Sequence, residues 1–352
     1  MHMADALLSP EVGGAMWMAT GATIAIASRK LKRDTDHSHV PLMGVVGAFV
    51  FAAQMVNFTI PGTGSSGHFA GGMLLAILLG PHAAFLSMAS VLVVQGLFFA
   101  DGGLLAMGAN IFNMGFLPCY VVYPLLYRPL AGGRADPGRR RVAAWLGAVA
   151  ALQLGALGVV LETRASGIAE LPLFAFLAAM QPIHLAIGIV EGLITVAVIE
   201  FVARAEPGML TALPPAAVPS SVPGFPKRAL AGLAILAIVV GGFFSWLASA
   251  HPDGLEWSIA RLTGEAELAQ PQDGPHGLAA RIQEAVAFLP DYAFPASGTA
   301  ESAADKEAGG WITPDAGTTV SGLVGGGLTL LIAGFAGWAL RRRSSSPASP
   351  TT

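Results

Sequence analysis

Apolar runs of about twenty residues, broken by short polar segments, leave this chain few folds to adopt. A backbone that crosses a bilayer has to satisfy its own N–H and C=O groups, and within one apolar run only an α-helix does so. At 1.5 Å per residue, about 20 residues cover a hydrocarbon core of ~30 Å. Runs of that order extend over residues 11–28, 40–56, 83–100, 104–126, 142–161, 171–199, 229–250 and 320–340. A further run, 69–80, covers only about 18 Å and reads as a half-helix entered from a loop that dips into the protein. Charged residues make up 12% of the chain, where soluble domains carry roughly 25%. The expectation is an all-α integral membrane protein with about nine transmembrane helices.

Positive charge orients the bundle. With the N-terminus outside and the C-terminus cytoplasmic, the inner segments collect 15 of the 19 basic residues, among them Arg29-Lys30, Arg139-Arg140-Arg141 and Arg341-Arg342-Arg343. Only Arg164, Arg261, Arg281 and Lys306 fall outside. The domain division follows from composition: a seven-span module over residues 1–203, a Pro-rich cytoplasmic linker over 204–226, a two-span module with an external segment over 227–343, and a tail over 344–352. The opening MHMADALLSPEVGG has no basic n-region and no early apolar core, so no signal peptide is expected and Met1 is expected to be retained.

That expectation matters because Met1-His2 is a chelating fragment. The α-amine of Met1, the backbone nitrogen of His2 and the His2 imidazole can close two fused rings on one metal ion. A fourth nitrogen, from His68, would complete a square that suits Ni(II) or Cu(II), with Co(II) a neighbouring choice. His68 follows the Gly-rich stretch Pro61-Gly62-Thr63-Gly64-Ser65-Ser66-Gly67, where glycine permits close approach of backbone to ligand. The proposed topology puts both ends of this constellation on the outer face. The plainer alternative is a start codon followed by an accidental histidine, and a polar histidine at a helix start.

Other polar groups lie inside the apolar runs, where ionisable residues point to function by default. His184 and Glu191 sit seven residues apart on one helical face. His184 counts about 20 Å down from the outer end of its span, so the pair is expected to hydrogen-bond between helices rather than share a metal with Met1. Gln95, Asn110 and Asn113 are expected to join spans in the same way. Asp36-His37-Ser38-His39 is either a loose metal site or a solvated loop. The stretch from Asp253 to Asp315 holds 11 of the 22 acidic residues, and either concentrates cations by its field or is an ordinary solvated segment. No GxxxxGK[ST] loop, HExxH or Ser/His/Asp arrangement is present, so neither P-loop ATP hydrolysis nor those catalytic chemistries are expected. Cys119 is the lone cysteine, which excludes a disulfide framework.

Several motifs together resemble a known family. The opening Met1-His2-Met3-Ala4-Asp5-Ala6-Leu7-Leu8-Ser9-Pro10, Ser66-Gly67-His68 with Gly71-Gly72, Leu78-Leu79-Gly80-Pro81, Gly108 to Met114 and His184 to Glu191 are similar to the nickel/cobalt substrate-binding subunits of energy-coupling-factor transporters. Residues 227–340, marked by Pro252-Asp253-Gly254-Leu255-Glu256, resemble the companion small subunit, here fused. The resemblance implies an ion held by the Met1 amine, the His2 backbone and ring nitrogens and the His68 ring. It implies Ni2+ or Co2+ as cargo with no organic cofactor, a bacterial inner-membrane location, and separate chains as partners: a transmembrane coupling subunit and two ATPase subunits. On that reading the chain is a transporter subunit and not an enzyme. Two alternatives remain: a stand-alone secondary permease using His184 and Glu191, and a membrane metal sensor.

Overall fold

A computed structural model describes residues 2–33, 39–132, 136–206, 227–294 and 315–341. Helices dominate it. The first module contributes α1 (Pro10–Arg33), α2 (His39–Gln54), a hairpin of β1 (Phe58–Ile60) and β2 (Ser65–Gly67), α3 (Gly72–Leu79) and α4 (Pro81–Phe98). It continues through α5 (Met107–Ala131), α6 (Pro137–Ser166) and α7 (Leu173–Ala205). The second module adds α8 (Lys227–Gly242), α9 (Gly254–Thr263), α10 (Gly274–Val286) and α11 (Ala316–Arg341).

Among the described residues, five helices are long and apolar enough to cross a bilayer: α4, α5, α6, α7 and α11, with a shorter apolar helix at Pro41–Gln54. The chain is therefore a helical membrane protein. α1 has the length for a crossing, 24 residues, but Glu11 and several glycines and threonines dilute its hydropathy. The expected span over 229–250 is helical only to Gly242 and then tightens into a 3-10 turn at Phe244–Leu247. There Gly241 lies against the backbone of Gly322 in α11, and small residues let the two helices close in.

The short run is shorter still than the expected 69–80. α3 is eight residues, about 12 Å of rise, and every one of them is buried. Gly71 (φ 79°) and Gly80 (φ 75°) bound it in the left-handed half of the map, where other residues rarely go. Phe69 and Ala70, just before it, are non-helical and buried, which the membrane interior tolerates only under protein cover.

The two modules pack as one body. α11 lies on α2, with Gly325 facing Phe51 and Gly47 facing Thr329. At one end of the bundle the connecting segments interlock: Met3 with Asn110 and Gly103, Ser9 with Ser166, Leu8 with His276, Asn57 with Ser249, and Gly96 and Gly102 with Gln283. At the opposite end Arg140 and Arg141 both reach Glu200, at 3.1 and 2.8 Å.

Candidate metal centre

The N-terminal segment is threaded into the core. Met3 and Leu8 are fully buried. Asn110 clamps the Met3 peptide from both sides, accepting from its N–H at 2.8 Å and donating to its C=O at 3.2 Å. Asp5 accepts from Ala106 N–H at 2.9 Å and sits directly against Gly103, which has no side chain to oppose it. Together these contacts hold His2 over the turn Asp101-Gly102-Gly103.

Met1 lies outside the described residues. His2 and His68 are brought together: their rings stack with centroids 5.2 Å apart and planes 21° apart. The hairpin carries His68 down to this point, because Gly67 packs onto Ile187 in the middle of α7 where a side chain would collide. Each ring has a carboxylate beside it. Asp101 Oδ1 is 3.3 Å from His2 Nδ1, and Asp253 Oδ2 is 3.8 Å from His68 Nε2. Burial lowers the pKa of His2, against the pull of Asp101. Burial also lowers that of His68 well below its ordinary value, with the neighbouring His2 ring acting in the same direction. Two neutral imidazoles flanked by two carboxylates make a place for a cation. Among the described residues no three His, Cys, Asp or Glu side chains converge on one point.

Asp253 comes from the second module. It opens α9 in a capping box, accepting from Leu255 and Glu256 N–H at 2.8 and 3.0 Å while Glu256 accepts from its own N–H at 2.9 Å. The residues before it grip the hairpin. Ser66 N–H donates to Pro252 C=O at 2.8 Å, Ser66 Oγ donates to His251 C=O at 2.8 Å, and Trp257 Nε1 donates to Thr63 C=O at 2.9 Å. Tyr292 Oη donates to Asp101 Oδ2 at 2.5 Å. The second module thus touches the surroundings of both rings.

The remaining polar residues are not uniform glue. Gln95 turns to His2, its Oε1 3.1 Å from His2 Nε2. Asn113 donates to Glu162 at 2.7 Å across α5 and α6. Glu191 accepts from Ala70 and Gly71 N–H at 3.3 and 3.1 Å, holding the segment after His68. His184 Nδ1 donates to Met180 C=O at 2.8 Å in its own helix. Its ring lines a small cavity with His68, Asp253, Leu152 and Ile187, although a count of residues along α7 leads to the expectation that it lies far from the candidate ligands. The loop descends to meet it. Residues 36–38 of the Asp36–His39 stretch lie outside the described residues, and His39 opens α2. Among the described residues of the acidic stretch, Asp253 stands beside a candidate ligand.

Asp101 and Tyr292 carry no sequence signal that would single them out. Asp253 does carry one: Asp-x-x-Glu before an apolar run is the capping-box pattern.

Residues 2–209 match the family described as cobalt uptake substrate-specific transmembrane region, and residues 227–342 match the PDGLE domain. A putative fused nickel transport protein NikMN of Archaeoglobus fulgidus is 33% identical over 96% of this chain and 97% of its own. The fused nickel transport protein NikMN of Rhodobacter capsulatus is 31% identical over 83% of this chain and 88% of its own. A solved structure described as a transition metal transporter superposes with a TM-score of 0.51 at 31% identity, over 58% of this chain and 93% of that one. Matched along both modules, the chain belongs to the cobalt-uptake transmembrane family, as a nickel/cobalt transport protein of the membrane with a fused PDGLE domain.

Proposed function

We propose that this chain is the metal-capturing subunit of an energy-coupling-factor importer for Ni2+ or Co2+ in the bacterial inner membrane. The ion is held on the outer face by the Met1 amine, the His2 backbone and ring nitrogens and the His68 ring. Nine spans carry the chain from an outer N-terminus to a cytoplasmic C-terminus. Residues 1–203 form the capture module, 204–226 the linker, 227–343 the PDGLE module and 344–352 the tail. A coupling subunit and two ATPase subunits, on separate chains, supply the work. The observation that carries this reading is the stacked pair of imidazole rings with a carboxylate at each. The rings lie at the end of the bundle opposite Arg140 and Arg141, and that charge bias supports an outer site. His184 and Glu191 are committed to fixed hydrogen bonds, which weighs against their carrying protons in a stand-alone permease.

Two experiments test the reading. Uptake of nickel should vanish in cells that lack the ATPase chains while the purified protein still binds; full uptake without them would favour the permease. An extension of even one residue before Met1 should replace the amine with a poor amide ligand. Extended protein should then fold and fail to bind nickel tightly, whereas protein tagged after Thr352 binds normally. Equal affinity of the two forms by calorimetry would remove Met1 from the site.

A further inference from the structure

Behind the His2 ring runs a hydrogen-bonded chain whose direction is fixed at its far end. The carbonyl oxygen of Ala70 can only accept. The Gln54 atom 2.8 Å from it is therefore the NH2 group, which leaves Gln54 Oε1 as an acceptor. Gln95 Nε2 donates to that oxygen at 2.8 Å, so Gln95 Oε1 is the atom that faces His2 Nε2 at 3.1 Å. An acceptor at that point calls for a hydrogen on His2 Nε2. Asp101 Oδ1, 3.3 Å from Nδ1, is the more distant of the two acceptors, and it faces the bare nitrogen as the counter-charge to the cation that Nδ1 would bind. Gln95 is wholly buried and Gln54 nearly so, so bulk water does not offer the amides other partners. The end of the chain is itself held, because Glu191 accepts from Ala70 N–H and Gly71 N–H.

We propose that Gln95 and Gln54 are positioning residues that hold His2 in its Nε2–H form and so leave Nδ1 as the bare, metal-binding nitrogen. This rests on the reading of His2 as a ligand. The chemistry asks for that form. A chelate ring closed through the backbone nitrogen of His2 takes in Cα, Cβ, Cγ and Nδ1 and has six members with the metal. Nε2 points away from it. The opposite tautomer would put the hydrogen on the nitrogen that has to bind. Fixing the tautomer of a ligand histidine through its other nitrogen is a general device of metal sites. Here the fixing group is an amide relay, and the relay ends on the loop that carries His68. The same hydrogen bonds thus orient one ring and tie it to the carrier of the other.

The test uses the full chain with its native N-terminus, purified in detergent, with Ni2+ and Cu2+ as probes. Gln95→Glu, protonated in this wholly buried place, keeps an acceptor oxygen at His2 Nε2 and an O–H donor toward Gln54 Oε1. Gln95→Asn withdraws it by one methylene, and Gln95→Met removes it at similar volume. The relay predicts wild-type nickel affinity for Glu within about threefold, and losses of about tenfold or more for Asn and Met. Packing alone predicts the reverse order, with Met best and a buried carboxylate worst. In Cu2+ spin-echo spectra, the quadrupole pattern of the remote ring nitrogen reports its hydrogen bond. One of the two imidazole patterns should change in Asn and Met and stay in Glu. Nickel affinity in Gln95→Met equal to wild type, or the reverse ranking, overturns the proposal; if Met does not fold, Asn carries the same prediction. Should an N-terminal extension leave binding intact, it is the His2 chelate that fails. Should the extension abolish binding while Gln95→Met does not weaken it, the relay alone fails.

Discussion

Asp253 performs two tasks that substitution can separate. Its Oδ1 caps α9 through two backbone N–H groups, and its Oδ2 lies 3.8 Å from the His68 ring. Asp253→Ala removes both. Loss of a cap costs about 1 kcal/mol, up to about 2, so local opening of α9 becomes about fivefold more frequent by the same arithmetic that makes 1.4 kcal/mol a factor of ten. Asp253→Asn keeps a cap of nearly equal quality and removes only the charge. Groups that support a metal-binding histidine are worth about 10–100-fold in affinity, and the second carboxylate, on Asp101, remains. The expectation is about a tenfold loss of nickel affinity in both variants, with faster exchange of α9 amides only in Ala. Hydrogen exchange by mass spectrometry and calorimetry on the same preparations read the two effects. Wild-type affinity in Asn with a large loss in Ala would show that Asp253 acts by building α9 and not by its charge. Wild-type affinity in both would remove it from the site altogether.

Further outcomes follow from the same geometry. Because burial lowers the pKa values of His2 and His68, the rings stay neutral below their usual ~6.5, and protons compete mainly at the α-amine, near ~7.7–8.0. With one amine and one amide proton released, the logarithm of nickel affinity should fall by about two per pH unit from about 7.5 to 6; a slope steepening toward four below about 6.5 would show rings with ordinary values. The same shifts contribute stability that is present above the unfolded value and lost as pH falls through the folded one, so metal-free protein should melt lower below about pH 6. For topology, the native Cys119 is buried, and a cysteine at exposed Gln272 should react with an impermeant reagent in intact cells while one at exposed Lys30 should not; the opposite pattern would invert the bundle. Gly103→Ala should drive a methyl into the Asp5 carboxylate, costing about 1–3 kcal/mol and weakening nickel binding by displacing His2; a variant with unchanged melting and affinity would show that the turn gives way freely.

What the sequence made legible was whatever adds up along the chain. The long spans are sums over twenty residues, and even the shortness of α3 could be counted. The chelating start needed only covalent geometry. What pairing across the chain decides was out of reach: Asp101 and Asp253 stand more than a hundred residues apart, and the capping-box pattern at Asp253 does not tell that the fold puts one of them beside each ring. His184 is the instructive case. Counting its depth along α7 presumes that the loops stay at the surface, and the contact of Gly67 with Ile187 shows a loop that does not. Gln95 was recognisable as a buried amide between helices, but its partner depends on where the N-terminal segment is threaded, and that is set by Asn110 and Asp5.

The grip of residues 249–257 on the β1–β2 hairpin joins two segments of one polypeptide. Separating them is a first-order event. Its equilibrium is set by the local contacts and by the effective concentration that the tether imposes, and it does not shift when the protein is diluted in the membrane. Were the same two modules separate chains, the hairpin would lose its cover whenever expression of the smaller one lagged. Covalent fusion makes that stoichiometry one to one in every molecule.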